Sequence, residues 1–129
     1  MLRRITPATI QPPLANYCHA TEVAPNARWL YVSGQLGVRP DGTIPDGFAD
    51  QAEACFADLM AILADAGMAA ADLVRLNAYL TDPADLGAYM AARDRHVAAP
   101  APASTLLVVQ ALTRPQFKIE IEAVAATYE

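Results

Sequence analysis

Cysteine, histidine and tryptophan are scarce in this chain of 129 residues, which has two, two and one of them. Cys18 and Cys55 stand far apart, in neither a metal-ligand spacing nor a disulfide framework. Basic charge is equally thin. Nine Lys and Arg face fourteen Asp and Glu for a formal net charge of −5, and the nine are scattered. Nucleic-acid binding relies on clustered cations that displace counterions from phosphates, so an extended RNA or DNA partner is disfavoured. Apolar runs of roughly 18 residues are missing, so no membrane span is expected, and Met1-Leu2-Arg3-Arg4-Ile5-Thr6-Pro7 lacks the apolar centre of a secretory signal. The expectation is a cytoplasmic protein. Zinc, P-loop and dinucleotide motifs are lacking too.

What the chain does contain is apolar side chain: 54% hydrophobic against 18% charged residues, with alanine supplying much of the excess. That composition folds, and the length suits one domain over residues 1–129. A body this small with this much apolar surface also favours self-association.

Periodicity divides the chain into elements. Arg28-Trp29-Leu30-Tyr31-Val32-Ser33 is aromatic and β-branched, as a strand requires, and Gly34 and Gly37 interrupt it with a bulge or close approach. Asp41-Gly42 marks a turn, which predicts a hairpin-like excursion with a short segment after it. From Phe48 the apolar positions Phe48, Ala52, Cys55, Phe56, Leu59, Ile62, Leu63 and Ala66 follow helical spacing, and Gly67 supplies the stop. Leu73 to Leu80 alternates, with Val74, Leu76, Ala78 and Leu80 on one face and Arg75, Asn77 and Tyr79 on the other. Asp82-Pro83 caps a second helix running to about Val97. A stiff Ala/Pro connector at 98–103 leads to strands at Thr105–Ala111 and Phe117–Thr127. The order β-β-α-β-α-β-β implies an α+β fold. A mixed sheet carries both helices on one face, and another subunit covers the opposite face.

Several residues could carry chemistry. Glu120 and Glu122 share one face of the last strand, as a solvated pair or as a proton-handling site at a subunit boundary. Ser33-Gly34 could bring backbone N–H groups close to a ligand, or serve the strand end alone. Cys18-His19 resembles a thiolate–imidazole pair, but neighbours on a strand point to opposite faces. His96 reads as a surface or helix-terminal group, and Cys55 as a buried helix residue.

In their order and spacing, these pieces resemble the RidA family of reactive-intermediate deaminases, also called YjgF or L-PSP endoribonuclease proteins. The likeness rests on Ser33-Gly34-Gln35, Asp41-Gly42, Gln51, Ala66-Gly67, Asp72-Leu73-Val74, Leu80-Thr81-Asp82, Pro102-Ala103 and Ile119-Glu120-Ile121-Glu122-Ala123-Val124-Ala125. The resemblance implies a chorismate-mutase-like fold, a homotrimer with clefts between subunits, and cofactor-free hydrolysis of small enamines or imines to ketoacid and ammonia. It implies that Tyr17 lines the cleft, that Ser33 and Gly34 offer backbone contacts, and that Glu120 positions or activates water.

The chain departs from the deaminating members at three positions. Ser104 stands where their carboxylate-gripping arginine would be, Leu106 where they have cysteine, and Met90 where many have asparagine. The loop Leu112-Thr113-Arg114-Pro115-Gln116-Phe117 is one residue longer. Losing a bidentate arginine predicts an altered substrate, and Arg93 or Arg95 on the second helix is a candidate replacement cation if not simply solvated. Three functions compete: an imine or enamine hydrolase of changed preference, a non-catalytic trimer binding a small molecule, and a ribonuclease, which the acidic balance disfavours.

Overall fold

The structure is a computed structural model that describes residues 1–97 and 99–129. Ala98, the first residue of the expected connector, lies outside the described residues. Six strands and two helices follow one another: β1 (Leu2–Ile5), β2 (Ala20–Val23), β3 (Arg28–Leu36), α1 (Phe48–Asp65), β4 (Leu73–Leu80), α2 (Leu86–His96), β5 (Ala103–Val108) and β6 (Ile119–Thr127).

Four of the strands form a mixed sheet in the order β3-β6-β4-β5, with β4 and β5 parallel and the other pairs antiparallel. Parallel neighbours need a crossover, and α2 supplies it between β4 and β5. Three strands, not two, precede the first helix. β1 and β2 form an antiparallel ribbon of their own, and the short segment between the Asp41-Gly42 turn and α1 forms no strand. The ribbon is tied to the sheet by Arg4, whose Nη1 donates to Leu73 O at 2.6 Å. That short, charge-bearing ribbon has no strong apolar alternation, which is why its sequence did not announce it.

The apolar stripe of α1 does what its spacing demands. Phe48, Ala52, Cys55, Phe56, Leu59 and Leu63 are buried against Leu73, Leu76, Ala78, Leu80, Ile119 and Ile121 of the sheet. A large core side chain such as Phe56, wholly shielded from solvent, typically costs about 3–5 kcal/mol when cut to alanine. Gly67 ends the helix at φ +70, where a Cβ would be strained. The Gly67 and Met68 N–H groups donate back to Ala64 O and Leu63 O, the paired bonds of a Schellman stop. Asp82 accepts from Ala84 N at 2.9 Å, so Pro83–Asp85 forms a 3₁₀ turn that leads into α2.

Strand boundaries shift modestly from the sequence reading: β5 begins earlier, at Ala103, and β6 later, at Ile119. In β4 the alternation breaks once. A register shift between Leu73 and Arg75 buries Leu73 and leaves Val74 half-buried, not on the core face with Leu76, Ala78 and Leu80. The face turned from the helices carries Arg75, Asn77, Tyr79, Glu120 and Glu122, with Trp29, Tyr31 and Leu107 exposed. Among the described residues no helix is long and apolar enough to cross a membrane.

Candidate functional site

A cavity of about 380 Å³ opens where edge strand β5, helix α2 and the loop before β2 converge. Tyr17, Met90, Arg93, Ser104 and Leu106 all line it, together with Leu14 and Leu86. It thus gathers the cleft tyrosine, the three departing positions and one of the two candidate cations that the sequence singled out. Larger or comparable hollows, of about 480 Å³ and 410 Å³ along α1 and about 330 Å³ beside the ribbon, contain none of these five.

Each wall of the cavity follows from local structure. Ser104 and Leu106 pair with Leu76 and Ala78 of β4, so their side chains point to the helix side of the sheet. Met90 and Arg93 lie three apart on α2 and share a face. The Tyr17 segment is held by Cys18 N donating to Pro102 O at 3.1 Å and by Asn16 Nδ2 donating to Asp94 Oδ1 at 3.1 Å. Tyr17 Oη accepts from Leu14 N at 3.2 Å, which leaves its own proton free to donate.

Arg93 is not a solvated helix arginine: it is 5% exposed. Its guanidinium lies over the ring of Tyr89, 5.7 Å from the centroid, and its Nε donates to Asp94 Oδ1 at 3.2 Å. Tyr89 is itself buried among apolar groups, which pushes its hydroxyl up to about 12 and keeps it neutral under the cation. Arg95 points elsewhere, paired with Glu53.

Glu120, Ser33 and Gly34 form a second group, apart from the cavity. Glu120 pairs with Tyr79 and Leu36, so it stands on the open face of the sheet, opposite to Ser104 and Leu106. Two strand spacings, about 10 Å, separate β6 from β5. The β3 bulge between Val32 and Gln35 sets Ser33 and Gly34 beside it. A Cβ built on Gly34 would fall 1.9 Å from Glu120 Oε2, so the carboxylate occupies the space that only glycine leaves.

The two carboxylates divide by their partners. Glu122 accepts from Tyr79 Oη at 2.6 Å and Asn77 Nδ2 at 3.3 Å, which ties it into the sheet and raises the Tyr79 hydroxyl above its ordinary value. Glu120 accepts from no described residue and is the one open to an outside donor such as water.

Cys18 and His19 make no dyad. The thiol turns to Ala20 O at 3.1 Å, and His19 Nε2 meets Gln11 O at 2.8 Å. Burial pushes the Cys55 thiol up to about 12, which excludes it as a nucleophile. His96 stacks on Phe56 and reaches Glu53 Oε2 at 2.7 Å, joining the two helices. Gln51 is wholly buried: Nε2 donates to Pro45 O and Gln116 O, and Oε1 accepts from Lys118 N. Its place in the sequence pattern is structural. Among the described residues no group of three His, Cys, Asp or Glu is placed to hold a metal. Sequence reasoning missed Asn16 and Asp94, because partners so far apart in the chain leave no periodic signal.

These features define a protein with an α+β fold whose ligand-sized hollow lies at a sheet edge. The chain belongs to the family described as Endoribonuclease L-PSP, which includes the RidA and YjgF proteins and whose profile matches residues 8–127. It is similar to the Rid-family protein YyfB of Yersinia pestis, with a TM-score of 0.88, 32% identity and 98% of each chain covered. RidA of an Antarctic Psychrobacter superposes with a TM-score of 0.73 at 29% identity, over 97% of this chain and 99% of that one. The 2-iminobutanoate/2-iminopropanoate deaminase of Rattus norvegicus is 33% identical over 100 residues, 76% of this chain and 72% of that protein. A RutC family protein of Aquifex aeolicus is 33% identical over 82 residues, 63% of each chain, so the match spans less than two thirds of that relative.

Proposed function

We propose that the protein is a cofactor-independent hydrolase of small imines or enamines, working as a homotrimer in which the cavity of one copy meets Glu120 and Gly34 of the next. The observation that carries this reading is the division of labour on the sheet. A ligand-sized hollow with a phenol whose proton is left to donate lies at the β5 edge, and a carboxylate that accepts from no described residue lies on the open face, too far apart to act together within one chain. The exposed Trp29, Tyr31 and Leu107 on that same face favour its burial against another copy. The similarity to the rat 2-iminobutanoate/2-iminopropanoate deaminase supports the reaction type.

In this reading Glu120 orients water and accepts its proton as the oxygen attacks the C=N carbon, forming a carbinolamine. Tyr17 donates a hydrogen bond to the nitrogen or oxygen on which electron density collects. The proton taken by Glu120 passes on to the nitrogen to complete the carbinolamine. A second, from the new hydroxyl, follows by way of Glu120 as the C–N bond breaks, which expels ammonia and leaves the carbonyl, so one water is consumed for each ammonia released. Ser33 and Gly34 contribute backbone groups beside Glu120, while Met90, Leu106 and Ser104 set the shape of the pocket.

Ammonia release from freshly generated imines, compared with Glu120→Ala, tests the proposal. A rate above buffer that Glu120→Ala abolishes supports it, and no acceleration with any imine rejects it. Ser104 and Leu106, uncharged where deaminating relatives have arginine and cysteine, favour a second reading as a non-catalytic binding protein. Saturable ligand binding without turnover would establish that alternative.

A further inference from the structure

We infer that Arg93 is the anion-recognising residue of the cavity and that the preferred ligand is a carboxylate bearing a bulky apolar chain. This deepens the reading above, on which it rests for treating the cavity as the ligand site.

Three observations on α2 support it. The Arg93 side chain is 6% exposed, yet among the described residues its only hydrogen bond runs from Nε to Asp94, so neither terminal nitrogen has an acceptor among them. A guanidinium has five N–H donors, and a nearly buried one with most of them unused calls for an acceptor from outside the chain. The open space beside it is the cavity, whose described lining contains this one cation and no carboxylate. Asp94 also accepts from Asn16, so one carboxylate fixes both the arginine and the loop that carries Tyr17. We therefore assign Asp94 as a positioning residue: it steadies the guanidinium without touching the ligand, leaving Nη1 and Nη2 to form the paired bonds that suit a planar carboxylate.

The chain preference follows from size and polarity. The space of about 380 Å³ lies within the range that holds drug-sized ligands, and Leu14, Leu86, Met90 and Leu106 surround the arginine with apolar surface. A three-carbon acid leaves most of that surface wet, whereas a branched or aromatic chain covers it.

Stable 2-oxo acids test this without turnover. Calorimetric titration of the wild-type protein with pyruvate, 4-methyl-2-oxopentanoate and phenylpyruvate should show the two larger acids binding at least about tenfold more tightly than pyruvate. The neutral 4-methyl-2-oxopentanamide should bind at least about tenfold more weakly than its acid. Arg93→Gln should lose the preference for acid over amide, and Asp94→Asn should weaken acid binding while sparing the amide. Equal binding of acid and amide by wild type, or unchanged acid binding by Arg93→Gln, overturns the inference. If Arg93→Gln does not fold, side-chain nitrogen NMR of wild type reads the same contact: the Arg93 Nη signals should shift with the acid and stay still with the amide, and no shift overturns it. Acid binding with no imine turnover would remove the hydrolase reading and leave this one. Turnover that survives intact in Arg93→Gln would do the reverse.

Discussion

Replacing Gly34 by alanine separates a structural from a catalytic role for the contact between β3 and β6. The added methyl would lie 1.9 Å from Glu120 Oε2 and 2.8 Å from its Cδ, so the carboxylate must withdraw by roughly 1.5 Å to reach ordinary contact. Gly34 does not have a positive φ, so alanine can take up its backbone conformation. Moving the end of a half-exposed glutamate costs about 0.5–1.5 kcal/mol in rotamer strain, and reduced freedom of the unfolded chain returns about 0.4–1 kcal/mol. Stability should therefore change by less than about 1 kcal/mol, a shift in Tm of at most several degrees. Catalysis is far more sensitive, because a displacement near 1 Å can cost about 100-fold. Ammonia release by Gly34→Ala should accordingly fall about 100-fold while thermal unfolding stays near wild type. Gly47→Ala, with nothing near its added methyl, is the control and should leave turnover unchanged, although it weakens the N-cap of α1 slightly. Turnover within about twofold of wild type in Gly34→Ala would refute the argument that Glu120 must sit where it does.

Gln51→Ala strands two carbonyls and the Lys118 N–H around a buried site, so urea unfolding should show a loss of about 2–4 kcal/mol. The Cys55 thiol, raised to about 12, should resist iodoacetamide at pH 8 in the folded protein and react only after denaturation, as mass spectrometry would show. Hydrogen bonds from His96 and Arg95 lower the Glu53 carboxyl below its ordinary value of 4.5, so its contribution is present above pH 4.5 and is lost as pH falls through the depressed value. Because the Glu53 side chain is 40% exposed, water screens these contacts, and Glu53→Gln should cost less than about 1 kcal/mol at pH 7, with the difference shrinking below pH 4 in thermal melts.

Elements with strong periodicity were legible in the sequence. The α1 stripe, its Gly67 stop, the Asp82 cap and the alternation of β4 all depend on local spacing, and the structure keeps each of them apart from the shift at Val74. The β1–β2 ribbon was not legible, because its two strands of four residues carry no strong apolar alternation, and its tie to β4 rests on Arg4, which reads in the sequence as an isolated charge. The shared face of Glu120 and Glu122 was equally plain, but which of them is engaged depends on Tyr79 and Asn77, residues of another strand. Burial of Arg93 was hidden for the same reason. Helical spacing puts it near Met90, and only the arrival of the Asn16 loop and β5 turns that face of α2 inward.

Mixing of subunits tests the central claim most directly. Leu106→Trp, which fills the cavity, and Glu120→Ala, which removes the carboxylate, should each be inactive alone. Refolded together in equal amounts into mixed trimers, they should regain activity at about a quarter of the sites, those that take an intact cavity from one chain and Glu120 from its neighbour. Mixed trimers that form but remain as inactive as either parent would contradict a site shared between copies.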